Sequence, residues 1–314
     1  SVTKEVPQTG VTNNNWDVSS TTENYTRIDS AAATTLDWVG DFNISTAVFV
    51  DSFSVAAQDI NPQGMVFNGN GTKMFVVGST GDAVYEYTLS TGFDVSTALY
   101  SQNFSIAAQE TQPQAVAFNT DGTKMFVVGY DGDDVNEYTL STGFDVSTAS
   151  FVDSFSVGGQ ETTPQGLAFN SDGTKMFVCG QGGDDVNEYT LSTGYDVSTA
   201  VFVDSFSVAG QASSPQGLAF NGDGTKMFVV GAITDAVYEY TLTTGFDVST
   251  ASYSQAFSVA GQDNSPRGIT FNNNGTKMFV VGGSADDIIE YSLGSTLALG
   301  TGSFASADVG KTIE

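Results

Sequence analysis

Histidine is absent from the 314-residue sequence, and cysteine occurs once, as Cys179. Without histidine the chain lacks the side chain that most often serves as general base and metal ligand near neutral pH. One cysteine excludes an intrachain disulfide framework and leaves the redox compartment open. Cationic residues are scarce too: nine Lys and Arg stand against 36 Asp and Glu, a formal net charge of -27. A field of that sign repels phosphate backbones and anionic membrane surfaces, so nucleic acid is a poor partner. No stretch approaches the ~18 apolar residues needed to span a bilayer, and no membrane insertion is expected.

What is present points to an all-β chain. Hydrophobic residues make up 40% and aromatics 12%, and Val, Phe, Tyr, Thr and Gly dominate over helix formers. The sequence repeats with a period of 51 residues: Pro62 returns as Pro113, Pro164, Pro215 and Pro266. The hexapeptide GTKMFV recurs unchanged from Gly71, Gly122, Gly173, Gly224 and Gly275. Periods of this size mark propellers and solenoids.

Each unit reads as four strands: Gly64 to Phe67 (a), Lys73 to Val77 (b), Val84 to Leu89 (c) and Leu99 to Ile106 (d). Asn68-Gly69-Asn70-Gly71 gives a tight turn between a and b. Asp94-Val95-Ser96 gives an Asx or Ser/Thr turn between c and d. The first d strand, Val48 to Val55, precedes every a strand, and the last unit lacks one. A four-stranded meander repeated around an axis is a β-propeller, and the displaced strand would complete the last blade and remove a free edge. The expected fold is therefore an all-β β-propeller of five four-stranded blades with 3+1 closure. The rival is six blades, with residues 1–47 building a decayed extra one. An open solenoid fits less well, because the copies are uniform and such arrays need atypical caps.

The expected organisation is an N-terminal linker or strap over 1–40, the propeller of five 51-residue repeats over 41–293, and over 294–314 a C-terminal linker that starts a further segment. The chain opens on Ser1 with no charged-then-apolar leader and stops after Lys311-Thr312-Ile313-Glu314, so it is read as one that can be a piece of a longer protein.

The pattern PQG-x-x-FN-x-DGTKMFVVG followed by V-x-EYTLSTGFDVSTA resembles repeats of bacterial and phage propellers related loosely to the NHL and WD40 classes, without their WD dipeptide. SFASADVGKTIE from Ser303 resembles a segment of phage tail-fibre proteins. The first likeness covers roughly residues 42–293 and implies the propeller fold. The second covers about twelve residues and implies a virion or extracellular setting among other appendage proteins.

Few residues suggest chemistry. Asp82, Asp133, Asp184, Asp235 and Asp286 precede strand c and would ring one face. A turn role is the first expectation. Weak metal candidacy is the second, since carboxylates beside Gly and Asn carbonyls suit Ca²⁺. No other cofactor is expected. Lys73 and Glu86, with their four repeats, fall on a diagonal of adjacent antiparallel strands and should form ion pairs worth roughly 0.2–1 kcal/mol. Five interchangeable carboxylates make a poor glycosidase pair, and no enzyme is expected. Cys179 stands where other copies carry Val77, Val128, Val230 and Val281, so it reads as a small buried hydrophobe. Gln58 and its repeats would satisfy backbone groups or, alternatively, form an amide ring for a sugar.

The copies differ mainly in the d–a loops (QDINP, QETQP, QETTP, QASSP, QDNSP) and the b–c loops, which topology places on one face. Loops on a rigid scaffold are where recognition resides. The expected ligand residues are Asp59, Asn61, Tyr130, Asp131, Gln181, Ile233 and Asn264. The expected function is a non-enzymatic binding module of a phage tail fibre or extracellular appendage, recognising a cell-surface glycan or protein. The alternatives are a structural spacer or decoration domain and, behind it, a glycan-cleaving enzyme.

Overall fold

A computed structural model describes residues 4–5, 36–299 and 312–313. Five four-stranded antiparallel sheets stand around one axis, forming a five-bladed β-propeller. The first blade consists of strands Pro62–Phe67, Lys73–Gly78, Ala83–Leu89 and Ala98–Ser105. Its copies begin at Pro113, Pro164 and Pro215. The fifth blade takes three strands from Pro266–Phe271, Lys277–Gly282 and Asp287–Ser292, and its outer strand from Val48–Ser54. The 3+1 closure is as expected. Leu36–Gly40 joins no blade: it pairs antiparallel with Ser295–Leu299, so the rival sixth blade is not built from it. Most of the expected strap and of the C-terminal linker lies outside the described residues.

The a strands surround the axis, each beside the next. Their close approach explains the glycine in the Pro-Gln-Gly run. A Cβ at Gly64 would sit 2.8 Å from the Gln114 carbonyl oxygen, and one at Gly217 would sit 2.5 Å from that of Arg267. Strands b and c are buried on both faces: Met74, Phe75, Val76, Val77, Val84 and Tyr87 are fully enclosed. Cys179 packs there as its valine counterparts do, and burial pushes its thiol well above the usual range. The d strands form the outer wall, with Leu99 and Tyr100 exposed. Among the described residues no helix is long and apolar enough to cross a membrane.

Blades are joined by aromatic and polar contacts. Phe75 of the first blade packs against Phe118 of the second at 4.5 Å and Phe144 at 6.1 Å between ring centroids. The Lys–Glu diagonal forms as expected, with Lys73 Nζ 2.6 Å from Glu86 Oε1. It does more than pair strands. Glu86 Oε2 accepts the Val146 N–H of the next blade at 3.2 Å, and Lys73 Nζ donates to the Phe144 carbonyl. Each Glu is almost fully buried. These pairs therefore act as interblade clamps, not as the surface pairs that their diagonal alone suggests.

Candidate functional site

The d–a and b–c loops emerge together on one face and are stitched to each other. In the first blade the stitch is Asp59. Its carboxylate accepts the N–H groups of Asn61 at 2.7 Å, Thr80 at 3.2 Å and Gly81 at 2.8 Å. The Tyr85 hydroxyl donates to it at 3.3 Å. Glu110, Glu161 and Asp263 do the same in blades two, three and five. Asp59 is only 2% exposed, so its oxygens serve the loop pair instead of facing solvent. Burial pushes the Glu110 carboxyl above its ordinary range, against the lowering effect of its backbone donors.

Where these loops meet the axis, a recess of about 300 Å³ opens. Its wall is a ring formed by the second residue of each a strand: Gln63, Gln114, Gln165, Gln216 and, in the fifth blade, Arg267. The Pro-x-Gly geometry dictates that ring. Proline starts the strand, glycine (alanine in the second blade) lets neighbouring strands approach, and the residue between them lines the mouth of the channel. Asn61, Ser79, Gln112, Tyr130, Ala232 and Ser265 complete the lining. No carboxylate is among them. Beneath the ring lies a second, smaller space of about 20 Å³, lined by Met65, Val116, Leu167, Leu218 and Ile269 together with Gln114, Gln165 and Gln216.

The ring is not five-fold in its bonding. Gln63 Nε2 donates to Ser79 Oγ at 3.0 Å, Gln114 Nε2 to the Gln112 carbonyl at 3.1 Å, and Gln216 Nε2 to Ser214 Oγ at 3.3 Å. Gln165 is 2% exposed, and its Nε2 has no hydrogen-bond partner. Such an orphaned amide costs about 1–3 kcal/mol unless something outside the fold accepts from it. Arg267 reaches across the closure seam, donating through Nη1 to Asn61 Oδ1 and to the Pro62 carbonyl at 3.0 Å. Burial lowers its guanidinium, while the charges of Asp286, Asp263 and Asp59 act the other way. Burial likewise pushes the Tyr130 phenol up to about 12, with Arg267 opposing that shift. Tyr130 is therefore a neutral donor at any physiological pH.

Of the seven residues expected from the sequence, the fold brings Asn61 and Tyr130 together at the recess and places Asp59 beneath the loops. Asp131 accepts from Thr111, and Gln112 Nε2 donates to it at 3.3 Å on the exposed rim. Asn264 accepts from Ser284. Gln181 and Ile233 are exposed and do not line the recess. The glutamine ring and Arg267 fell between the compared loops, which end at the proline, and the expected strand a, which began at Gly64; the strand in fact begins at Pro62 and includes them. The signal was there: four copies begin Pro-Gln and the fifth begins Pro-Arg. Gln58 is not part of an amide ring, since Tyr87 donates to its Oε1 at 3.3 Å, and Tyr189, Tyr240 and Tyr291 do so to its repeats.

Asp82 and its four repeats sit in the left-handed region, with φ between 46° and 52°. The Asp82 carbonyl receives the Ile106 N–H at 2.9 Å, tying strand d to strand c. Asp tolerates this conformation better than most residues, which explains its recurrence. Among the described residues, no three acidic side chains gather as a metal cage would require.

No protein-family model matches the sequence, and no curated protein does. Among solved structures the chain is similar to a provisionally assigned 6-phosphogluconolactonase from Bacteroides uniformis, at 15% identity and TM-score 0.47, over 90% of this chain and 82% of that one. A second such protein, from Bacteroides fragilis, gives 15% identity and TM-score 0.47 over 76% and 69%. A protein of unknown function from Desulfotomaculum acetoxidans gives 12% identity and TM-score 0.44 over 76% and 68%. Likeness at this level says nothing about what this chain binds.

Proposed function

We propose that the protein is a non-enzymatic binding module of a phage tail fibre or comparable extracellular appendage, which recognises a cell-surface glycan or protein through the d–a and b–c loop face. The observation that carries this reading is the axial recess on that face. It is lined by carboxamides, hydroxyls, a phenol and one guanidinium, and by no carboxylate. Such a set can hold a polyhydroxylated or peptide ligand by hydrogen bonds. It offers no pair of acids to shuttle a proton through glycoside cleavage. The virion setting rests on the Ser303–Glu314 likeness, and a ligand exposed on a cell surface follows from that setting. The test is a screen against whole cells and a glycan panel, with and without Ca²⁺, using the parent chain and Tyr130→Ala. Binding that Tyr130→Ala weakens while melting unchanged supports the reading. Retained binding, or release of reducing sugar from any glycan, sinks it.

One observation favours a second reading, a structural spacer. Leu36–Gly40 and Ser295–Leu299 run antiparallel, so the chain enters and leaves the fifth blade side by side. That arrangement suits a blade ring carried on a stem. Deleting the propeller from its parent particle separates the readings: assembly fails if it is a spacer, and attachment alone fails if it is a binding module.

A further inference from the structure

Resting on the binding-module reading, we infer that the axial recess holds one carboxylate-bearing sugar of the hexuronic acid class per propeller, its carboxylate on Arg267 and its hydroxyls on the glutamine ring.

Three independent features converge on this ligand. First, the recess lies at the low end of small-molecule pocket volumes, ~300–1,000 Å³, and accommodates a single sugar-sized solute. Second, Gln165 Nε2 is buried at its wall without a partner, while its three counterparts are each satisfied within the protein. A donor left open at one place in an otherwise repeated ring needs an external acceptor. Third, Arg267 is the only cation at the wall. The five lysines of the blades are each engaged with a glutamate, whereas Arg267 forms no ion pair among the described residues. Only its Nη1 is occupied by protein acceptors, and a guanidinium presents its remaining N–H groups as a planar fork suited to a carboxylate.

Charge selects within anions. Asp263, Asp286 and Asp59 lie close enough to Arg267 to act on its protonation. Their repulsion scales with ligand charge, so a monoanionic carboxylate suffers about half of what a phosphate dianion does at the same place. Carboxamides both donate and accept, which matches hydroxyls and not a purely anionic surface. The symmetry of the scaffold does not extend to the site: four blades supply Gln and one supplies Arg, so the stoichiometry is one per chain instead of five.

Isothermal titration of the full chain with glucuronate, galacturonate and mannuronate, their methyl esters and the parent hexoses tests this. Arg267→Gln is the informative variant, because four blades already carry Gln at that position; its melting is recorded alongside, since it also removes the seam bonds to Asn61 and Pro62. The expected result is a single site for at least one uronate, weakened roughly ten- to hundred-fold in Arg267→Gln and by methyl esterification, the range for losing a charge-assisted hydrogen-bonded contact. Gln165→Ala should weaken it several-fold while leaving melting unchanged or raising it, because it also removes a buried donor that the free protein leaves unsatisfied. No saturable heat with any uronate overturns the inference, as do more than one site per chain, equal binding of ester and acid, or undiminished binding by Arg267→Gln. Whole-cell binding measured on the same preparations separates the two levels. Cell binding that survives Arg267→Gln and fails with Tyr130→Ala refutes the uronate and leaves the loop-face reading intact. Cell binding untouched by either variant refutes both.

Discussion

Lys277 Nζ donates to the carbonyl oxygen of Phe93 at 2.7 Å, across 184 residues of sequence. The same ammonium pairs with Glu290 at 2.7 Å, and the other oxygen of Glu290 accepts the Val95 N–H at 3.1 Å. One ion pair therefore clamps the last blade to the first. Equivalent clamps run from Lys73 to Phe144, Lys124 to Tyr195 and Lys175 to Phe246. The remaining one differs. Lys226 donates to the carbonyl of Asp41 instead of the aromatic residue, and Glu239 Oε2 accepts from Gln255, as Glu86 does from Gln102, but among the described residues it accepts no backbone N–H from the next loop.

That difference gives a measurable asymmetry. Glu290→Ala should cost about 2–4 kcal/mol, the low end for breaking a buried pair because the lysine keeps partial solvent access. Glu239→Ala should cost about 1–2 kcal/mol less, since one charge-assisted bond to the next blade is missing there. Urea unfolding of both variants, with Glu137→Ala as a mid-ring reference, checks the order. Equal losses at all three positions would mean that the backbone N–H bond missing at Glu239 contributes nothing measurable.

Packing at the axis makes a second prediction. Gly217→Ala places a Cβ against the Arg267 carbonyl and the Gly268 backbone, which belong to a neighbouring strand that cannot rotate away. Overpacking of this kind costs about 1–3 kcal/mol. The second blade already carries Ala115 at the same position, so Ala115→Gly should change stability by less than about 1 kcal/mol. Thermal melts of the two variants decide whether the glycine answers to strand approach. A tolerated Gly217→Ala would say that the ring breathes.

Acidity should shape stability in an unusual direction. Burial raises the Asp134, Asp185 and Asp287 carboxyls above their ordinary 3.8 and raises Glu110 above 4.5. For such groups the folded state binds the proton more tightly than the unfolded chain. Stability therefore rises as pH falls from neutrality through their folded values, and the gain is complete below the unfolded value. Asp121, Asp145, Asp172 and Asp223 behave oppositely. Hydroxyl donors from Thr123, Ser147, Thr174 and Thr225 lower them, so their contribution is present above 3.8 and lost as pH drops through their folded values. Relief of repulsion within a chain of charge -27 adds to the first effect. Melting temperature should peak in the mildly acidic range and fall again below 3.8. Asp134→Asn keeps the acceptor used by Asn136 Nδ2 at 2.8 Å and should raise the neutral-pH melting point while flattening its acid-side rise. A maximum at or above neutrality would contradict the burial argument.

The architecture was legible because its determinants are local and repeated five times. The Asn-Gly turn, the alternation of GTKMFV and the displaced Val48–Ser54 strand each point to the same blade and the same closure. The Lys73–Glu86 diagonal was legible as an ion pair because both residues belong to one hairpin. Its second role was not, since Glu86 and Val146 lie 60 residues apart and meet only when blades turn about an axis. The same limit hid the recess. Gln63 and Arg267 are neighbours through the ring and far apart in the chain, and Asp59 looks like a loop carboxylate until the b–c loop folds over it. Pairing of Leu36–Gly40 with Ser295–Leu299 was invisible for the same reason, as neither segment carries the repeat.

Two kinds of left-handed residue in each blade give the last prediction, because their side chains answer to different forces. Asp82 at φ 46° and Phe93 at φ 58° both occupy a region that favours glycine. Asp82 Oδ1 is buried without a partner, and burial with the Asp59 and Asp131 charges raises its carboxyl. Removing that side chain relieves both strain and an unsatisfied group. Phe93 instead packs on Phe67 at 5.2 Å and stacks on Phe279 at 6.5 Å, locking the c–d loop between two blades. Asp82→Gly should therefore be neutral or stabilising by up to about 1 kcal/mol, the added chain entropy of glycine setting the limit. Phe93→Gly should cost about 2–3 kcal/mol, because the lost aromatic burial exceeds the relieved strain. Melting both variants with Ca²⁺ and with a chelator adds a second decision. If Asp82 is a turn residue, Asp82→Gly responds to Ca²⁺ as its parent does. A Ca²⁺-dependent rise in the parent that Asp82→Gly weakens would reassign the aspartate ring to cation binding.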